Sequence, residues 1–278
     1  MPLLRLRPAL ALCLAGLCGF TSAANAQVDA SDLEGRNRLR YALGAALIEA
    51  PRYVGGSEQQ LKLRPLWALS YGRFHVNGAR ASGLLDAGGD SGSGVSADLL
   101  SGTRWRLGGA LRLDSGRAAD ADPALAGLPS IRGTLRGRVF GNVDWGGGWS
   151  SSLGYSADLL GRGGGGVSGL ALGYGWTPWP GLTAAARIGG NWADRQHMAT
   201  YFGISPQTAA AAGRAAFEPS AGLMNLHAGL NLRMPLEGRW TASAGIGLSQ
   251  LQGDAAVSPL TRSRQAASFS LGLAWRSP

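Results

Sequence analysis

The residues of this chain best suited to chemistry are few, and their spacing does not fit catalysis. The three histidines stand in the contexts His75-Val76-Asn77, His197-Met198-Ala199 and His227-Ala228-Gly229. A hydrolase that carries base and nucleophile along one strand needs His-x-Ser, so that the imidazole can take the hydroxyl proton. None of the three offers it. Asp194 and His197 supply one acid and one base three residues apart, without the second acidic pair of an aspartate–histidine protease. No two histidines fall at metal-ligand spacing. Gly163–Gly166 lacks the Lys-Ser/Thr and the following helix of a phosphate cradle. The reading is non-enzymatic: no catalytic residue, no cofactor and no metal site.

Arginine offers a different chemistry. Arg40, Arg64, Arg106, Arg112, Arg136, Arg138, Arg187 and Arg233 all alternate with apolar residues, and Arg38, Lys62, Arg73, Arg104, Arg132, Arg239 and Arg264 extend the set. Only Asp98, Asp114, Asp144 and Asp158 share that face. If the face is enclosed, its field attracts anions. Arg–Asp networks that fill a narrow interior are the other outcome.

The elements that position these arginines are strands. Leu39, Tyr41, Leu43, Ala45 and Leu47 alternate with Arg40, Ala42, Gly44 and Ala46. Leu226, Ala228, Leu230, Leu232 and Met234 alternate with His227, Gly229, Asn231 and Arg233. Period-2 alternation over about 10 residues is a strand with one apolar and one polar or small face. Such strands are long enough to cross a bilayer at a tilt. The aromatics Tyr41, Trp67, Tyr71, Trp105, Trp145, Trp149, Trp176, Trp192, Trp240 and Trp275 fall at or near strand ends, as interfacial girdles do, and two girdles are expected. The pattern predicts strands at 38–48, 61–71, 73–79, 93–101, 104–113, 131–145, 148–160, 166–176, 182–192, 222–234, 239–251 and 264–275. Tight turns alternate with long loops at 49–60, 80–92, 114–130, 193–221 and 252–263, the asymmetry of an outer-membrane barrel. The fold class is all-β: a transmembrane antiparallel up-and-down barrel of twelve strands, with ten as the alternative, and no clean helical period.

The first residues read separately. Two arginines, the apolar run Ala9–Phe20 and the small-x-small exit Ala24-Asn25-Ala26 before Gln27 form a secretory signal peptide over 1–26, with cleavage between Ala26 and Gln27. A short periplasmic segment is expected at 27–37 and the barrel at 38–278. Cys13 and Cys18, the two cysteines, leave with the signal, which excludes disulfides, thiolate zinc and a cysteine nucleophile. The net charge of +9 is dispersed arginine on an exported chain, so no nucleic-acid partner is expected.

Several ordered motifs resemble the MipA/OmpV family of outer-membrane proteins, the MltA-interacting protein and its relatives. The segment Asn191–Ser205, containing Trp192, Ala193, Asp194 and the run Tyr201-Phe202-Gly203-Ile204-Ser205, looks like that family's long-loop signature. Pro51-x-Tyr53-x-Gly55-Gly-Ser57, Gly116-Arg117, Leu125–Leu128, Ala221–Leu223 and Gly253–Leu260 follow the family order. His197 stands where the family often has Tyr. The last aromatic is Trp275, three residues before Pro278, where these barrels usually end in Phe. The resemblance implies a scaffold in the Gram-negative outer membrane, with outer-membrane lipid around it; twelve strands with short turns on the periplasmic side place both termini in the periplasm. By resemblance alone, its partners are a lytic murein transglycosylase and a peptidoglycan synthase, murein-remodelling enzymes. A small anion-preferring diffusion channel with a basic lumen is the alternative.

Overall fold

The computed structural model describes residues 38–78, 94–120 and 122–277. The signal peptide, the 27–37 segment and the whole 80–92 loop expected from the sequence lie outside the described residues. Twelve antiparallel strands close into a barrel, each paired with its sequence neighbours and the first with the last. They are β1 Arg40–Pro51, β2 Gln59–Tyr71, β3 Phe74–Asn77, β4 Gly94–Ser101, β5 Trp105–Asp114, β6 Thr134–Gly146, β7 Trp149–Asp158, β8 Gly166–Trp179, β9 Leu182–Ala193, β10 Gly222–Pro235, β11 Trp240–Leu251 and β12 Gln265–Arg276. Closure leaves no unpaired edge, the condition for strands to stand in hydrocarbon. The ten-strand alternative is excluded by β3, which is only four residues long yet pairs with both β2 and β4.

The alternation sets the faces. Leu63, Leu113 and Leu271 point outward at 70%, 83% and 64% exposure, while Ala42 and Ala274 are fully buried inside. Cross-strand register aligns the apolar residues into outer rows, for example Leu63, Leu47 and Leu271 across β2, β1 and β12. The interior wall carries small side chains and one apolar patch of Ala42, Ala46, Leu66, Ala68 and Ala274. At the β6–β7 turn, Gly147 and Gly148 have φ of 59° and 88°, a left-handed path that side chains with a Cβ resist. β8 runs further than expected, through Thr177 and Pro178 to pair Trp179 with Leu182.

Two expectations need correction. The aromatics do not form two equal girdles. Tyr41, Tyr71, Trp105, Trp145, Trp149, Trp176, Trp240 and Trp275 all sit at the short-turn end, with Trp67 one turn of register above, and of the ten only Trp192 is at the long-loop end. Rings in the crowded belt touch: Tyr41 and Trp275 centroids are 5.7 Å apart, Trp149 and Tyr174 4.8 Å. Lying near a strand end does not say which end, and up-and-down topology sends these ends to one side. The long loops also contain helix, where no clean helical period was expected: α1 Arg195–Phe202, α2 Pro206–Ala212 and α3 Gly253–Val257.

Candidate functional site: the capped mouth and the basic interior

The 193–221 segment folds because its polar residues terminate short helices. Asp194 caps α1, accepting from the backbone N–H of His197 at 2.7 Å and also from that of Gly166 on β8 at 2.6 Å. Ser205 caps α2 through the N–H of Thr208, with Pro206 at the first position and Gly213 ending the helix at φ 63°. Helices of eight and seven residues are not stable alone, so packing must hold them. Met198 and Phe202, each 1% exposed, pack with Ala193, Met224, Leu251 and Ala255. Ile204 and Ala209 join Tyr53, Leu125, Leu128 and Leu260 in a second apolar cluster. These residues come from loops and from the long-loop ends of β9, β10 and β11, so loops and strand ends meet at this mouth in a cap with two apolar clusters.

Polar contacts fasten the cap. The Arg117 guanidinium donates to Tyr201 O at 2.8 Å, and the Tyr201 hydroxyl donates to Asp114 Oδ2 at 3.0 Å. Ser258 Oγ donates to Phe202 O at 2.7 Å, and Thr200 Oγ1 to Gly163 O at 2.6 Å. His197 stacks on Tyr201, centroids 4.5 Å apart, and its Nδ1–H donates to Gly164 O at 2.8 Å. Burial pushes the His197 imidazole below its usual pKa, with Arg136 adding to the effect, against the opposing Gly164 carbonyl. Burial, then the Asp114 carboxylate, pushes the Tyr201 phenol up to about 12. Both groups are therefore neutral at pH 7.

Each residue of the signature has a place here. Ala193 is 4% exposed beneath α1, whereas Trp192 points outward at 45%. At Gly203 a Cβ would lie 2.4 Å from Ala199 O, so only glycine lets the chain leave α1 this tightly. Ile204 bridges to Phe217. The motif is the fastening of the cap.

The eight arginines lie on strand positions of the interior parity, but in different settings. Arg136, 8% exposed, reaches Asp114 at 3.9 Å and donates to Gly164 O and Gly165 O at 2.9 and 3.0 Å. It ties barrel wall to cap. Arg106 meets Asp98 at 3.8 Å. Arg112, Arg138 and Arg187 lie close enough for their charges to repel in succession, and Arg138 also stands 5.9 Å over the Phe140 ring. Arg40 and Arg64 are exposed, and Arg233 faces the short-turn half of β10. Asp144 and Asp158 do not serve chiefly as arginine partners. Asp144 accepts from Gly146 N, while Asp158 takes the Thr134 hydroxyl and the N–H groups of Leu160 and Gly164.

One juxtaposition was invisible in the sequence. Ser70 Oγ lies 3.1 Å from His75 Nδ1, and His75 Nε2 lies 3.6 Å from Asp98 Oδ2. The order is that of a hydrolytic triad, but Ser70 is 3% exposed and offers a substrate no approach. It links β2, β3 and β4. Alternation could have placed all three on one face, but not at this distance. Among the described residues no group of three potential ligands could hold a metal ion.

No curated protein matches the chain. Solved structures that it resembles include a porin (10% identity, TM-score 0.36, covering 86% of this chain and 99% of that one). The NanC porin gives 10% identity and TM-score 0.39 over 86% and 99% of the two chains. The Vibrio cholerae outer-membrane protein OmpT gives 6% and 0.38 over 86% and 98%. These likenesses are too distant to carry a functional argument. The family of the MltA-interacting protein MipA matches residues 43–277, from the first strand to the last and through every loop of the cap. With a closed twelve-stranded barrel whose outer face is apolar, the chain belongs to the MipA family and is an outer-membrane β-barrel protein.

Proposed function

We propose that this barrel is a non-enzymatic scaffold that holds murein-remodelling enzymes at the outer membrane, with its short turns and both termini in the periplasm. A lytic murein transglycosylase and a peptidoglycan synthase are the partner classes, in keeping with the family's description as MltA-interacting. The observation that carries the reading is the cap. A mouth filled by two apolar clusters suits a barrel that presents a surface better than one that passes solute. The surface left for a periplasmic partner is the short-turn rim, basic and aromatic, where Arg73 lies 5.3 Å over Phe74 and Arg239 5.6 Å over Trp275. Exposed Trp179 at the β8–β9 turn is the kind of residue that anchors an interface.

The test is binding of the purified barrel to each purified enzyme, with Trp179→Ala and Arg239→Glu as rim variants. Loss of at least about ten-fold in affinity is expected for the pair. Binding of neither enzyme, or binding indifferent to both changes, refutes the reading. The basic interior favours a second reading, an anion-preferring diffusion channel. Planar-bilayer recording separates the two: the scaffold is closed, whereas the channel shows steady, anion-selective conductance.

A further inference from the structure

The interior face between β6 and β10 has a shape that the cap does not explain. β7 and β8 present small residues there, Ser152, Gly154, Ala171 and Gly173, and larger cationic side chains frame them. Arg138 of β6 lies over Gly154, where a Cβ would come within 2.7 Å of its Nη2. His227 of β10 lies over Gly189, where a Cβ would come within 2.7 Å of its Nε2. Arg187 of β9 pairs with Gly173 on one side and Gly229 on the other, so nothing bulky separates it from the recess.

The charges that act on Arg187 and His227 are both positive, and the nearest carboxylate in Arg187's interior row, Asp144, stands three strands away and accepts from Gly146 N. The charge acting on Arg187 is that of Arg138, and the charge acting on His227 is that of Arg187. Among the described residues no carboxylate forms an ion pair with Arg187, and it has no hydrogen bond there. His227 Nδ1 is buried without a hydrogen-bond partner, as is Asn142 Nδ2. Asn142 and His227 share one interior row through Ser152, Ala171 and Gly189. Repelling cations and unsatisfied buried polar atoms together are costly unless an anion completes them.

We propose that this recess binds a small oxyanion, a carboxylate or a phosphate, with Arg187 and His227 as its direct ligands and Arg138 as its flanking charge. A guanidinium fork matches either group with two parallel hydrogen bonds. The inference deepens the basic-interior reading and rests on it for the sign of the field. Binding and conductance are measured apart, so a closed barrel that binds and an open one that does not are told apart.

The experiment uses the full barrel purified in detergent and the ring resonances of its three histidines, assigned with His227→Gln. Sodium phosphate and, separately, sodium acetate are titrated against sodium chloride at constant ionic strength. The expected result is a saturable shift of the His227 resonance with one or both oxyanions while His75 and His197 stay still; the arm that saturates identifies the oxyanion. Arg187→Gln weakens the apparent affinity at least ten-fold. Arg195→Gln, in an exposed ion pair with Glu218 at the start of α1, leaves it unchanged. Heat-modifiable gel mobility reports barrel folding; if Arg187→Gln fails it, Arg187→Lys, which keeps the charge but loses the fork, is expected to weaken binding too. No saturable shift with either anion, parallel drift of all three histidines, or unchanged affinity in the folded Arg187 variant overturns the proposal.

Discussion

Replacing Phe202 by alanine should open the cap and leave the barrel standing. Phe202 is 1% exposed and is among the largest fully buried side chains, packed in the cluster that joins α1 to β10, β11 and α3. Burying an aromatic ring of this size removes on the order of 150–200 Å² from water, worth about 4–5 kcal/mol at about 25 cal/mol per Å². Measured Phe→Ala changes in cores cost about 3–5 kcal/mol. The Ser258–Phe202 bond goes to the backbone oxygen and survives, so we take about 3 kcal/mol as the loss. The cap opens as a local unit above a barrel whose ladder is intact, so its open population rises by about two orders of magnitude. The assay is thiol labelling of Ala209→Cys, a position 5% exposed in the second cluster. Labelling should accelerate by about 100-fold in the Phe202→Ala background, with folded-barrel gel mobility unchanged. An unchanged labelling rate refutes the cap as a cooperative unit; loss of the barrel shows that Phe202 holds the wall and not the loops.

Three further outcomes test other parts of the argument. Cysteine at exposed Ala211 should be labelled on intact cells and cysteine at Leu236 only after permeabilisation; labelling of both from outside reverses or abolishes the topology. Leu230→Arg puts a charge into hydrocarbon and should cost about 2–4 kcal/mol in urea unfolding. Asn231→Arg, on the exposed interior side of the same strand, should cost far less, and equal costs would mean the faces are exchanged. Because His197 titrates below its reference value of 6.5 in the fold, its contribution to cap stability is complete above that pH and is lost as pH falls through the lowered value. Cap labelling, divided at each pH by the rate of a free thiol to remove the falling thiolate fraction, should therefore accelerate on acidification, and His197→Gln should remove that dependence; a normalised rate indifferent to pH in wild type contradicts the assignment. Tyr201, held up to about 12, contributes no pH dependence in this range.

The sequence by itself determined the barrel. Alternation is a local property: whether Leu43 and Leu47 face one way and Ala42 and Ala46 the other is decided by the pleat of a single strand, so twelve strands and their faces were legible with no knowledge of pairing. Loop lengths likewise separated a short-turn end from a long-loop end. The cap was not legible as structure, although its punctuation was in plain view: Asp194, Ser205-Pro206 and Gly213 are ordinary helix signals. Helices this short exist only because Met198, Phe202 and Ile204 find Met224 and Leu251 at strand ends and Leu125 and Leu260 in distant loops, and no periodicity reports such a meeting. The same holds inside the wall. Register along each strand put the arginines on one face, but pairing across strands decided which met a carboxylate, as Arg136 meets Asp114, and which, like Arg187, faces another cation. Strand identity follows from neighbours in the chain, whereas the site is made of neighbours across the barrel, which only closure brings together.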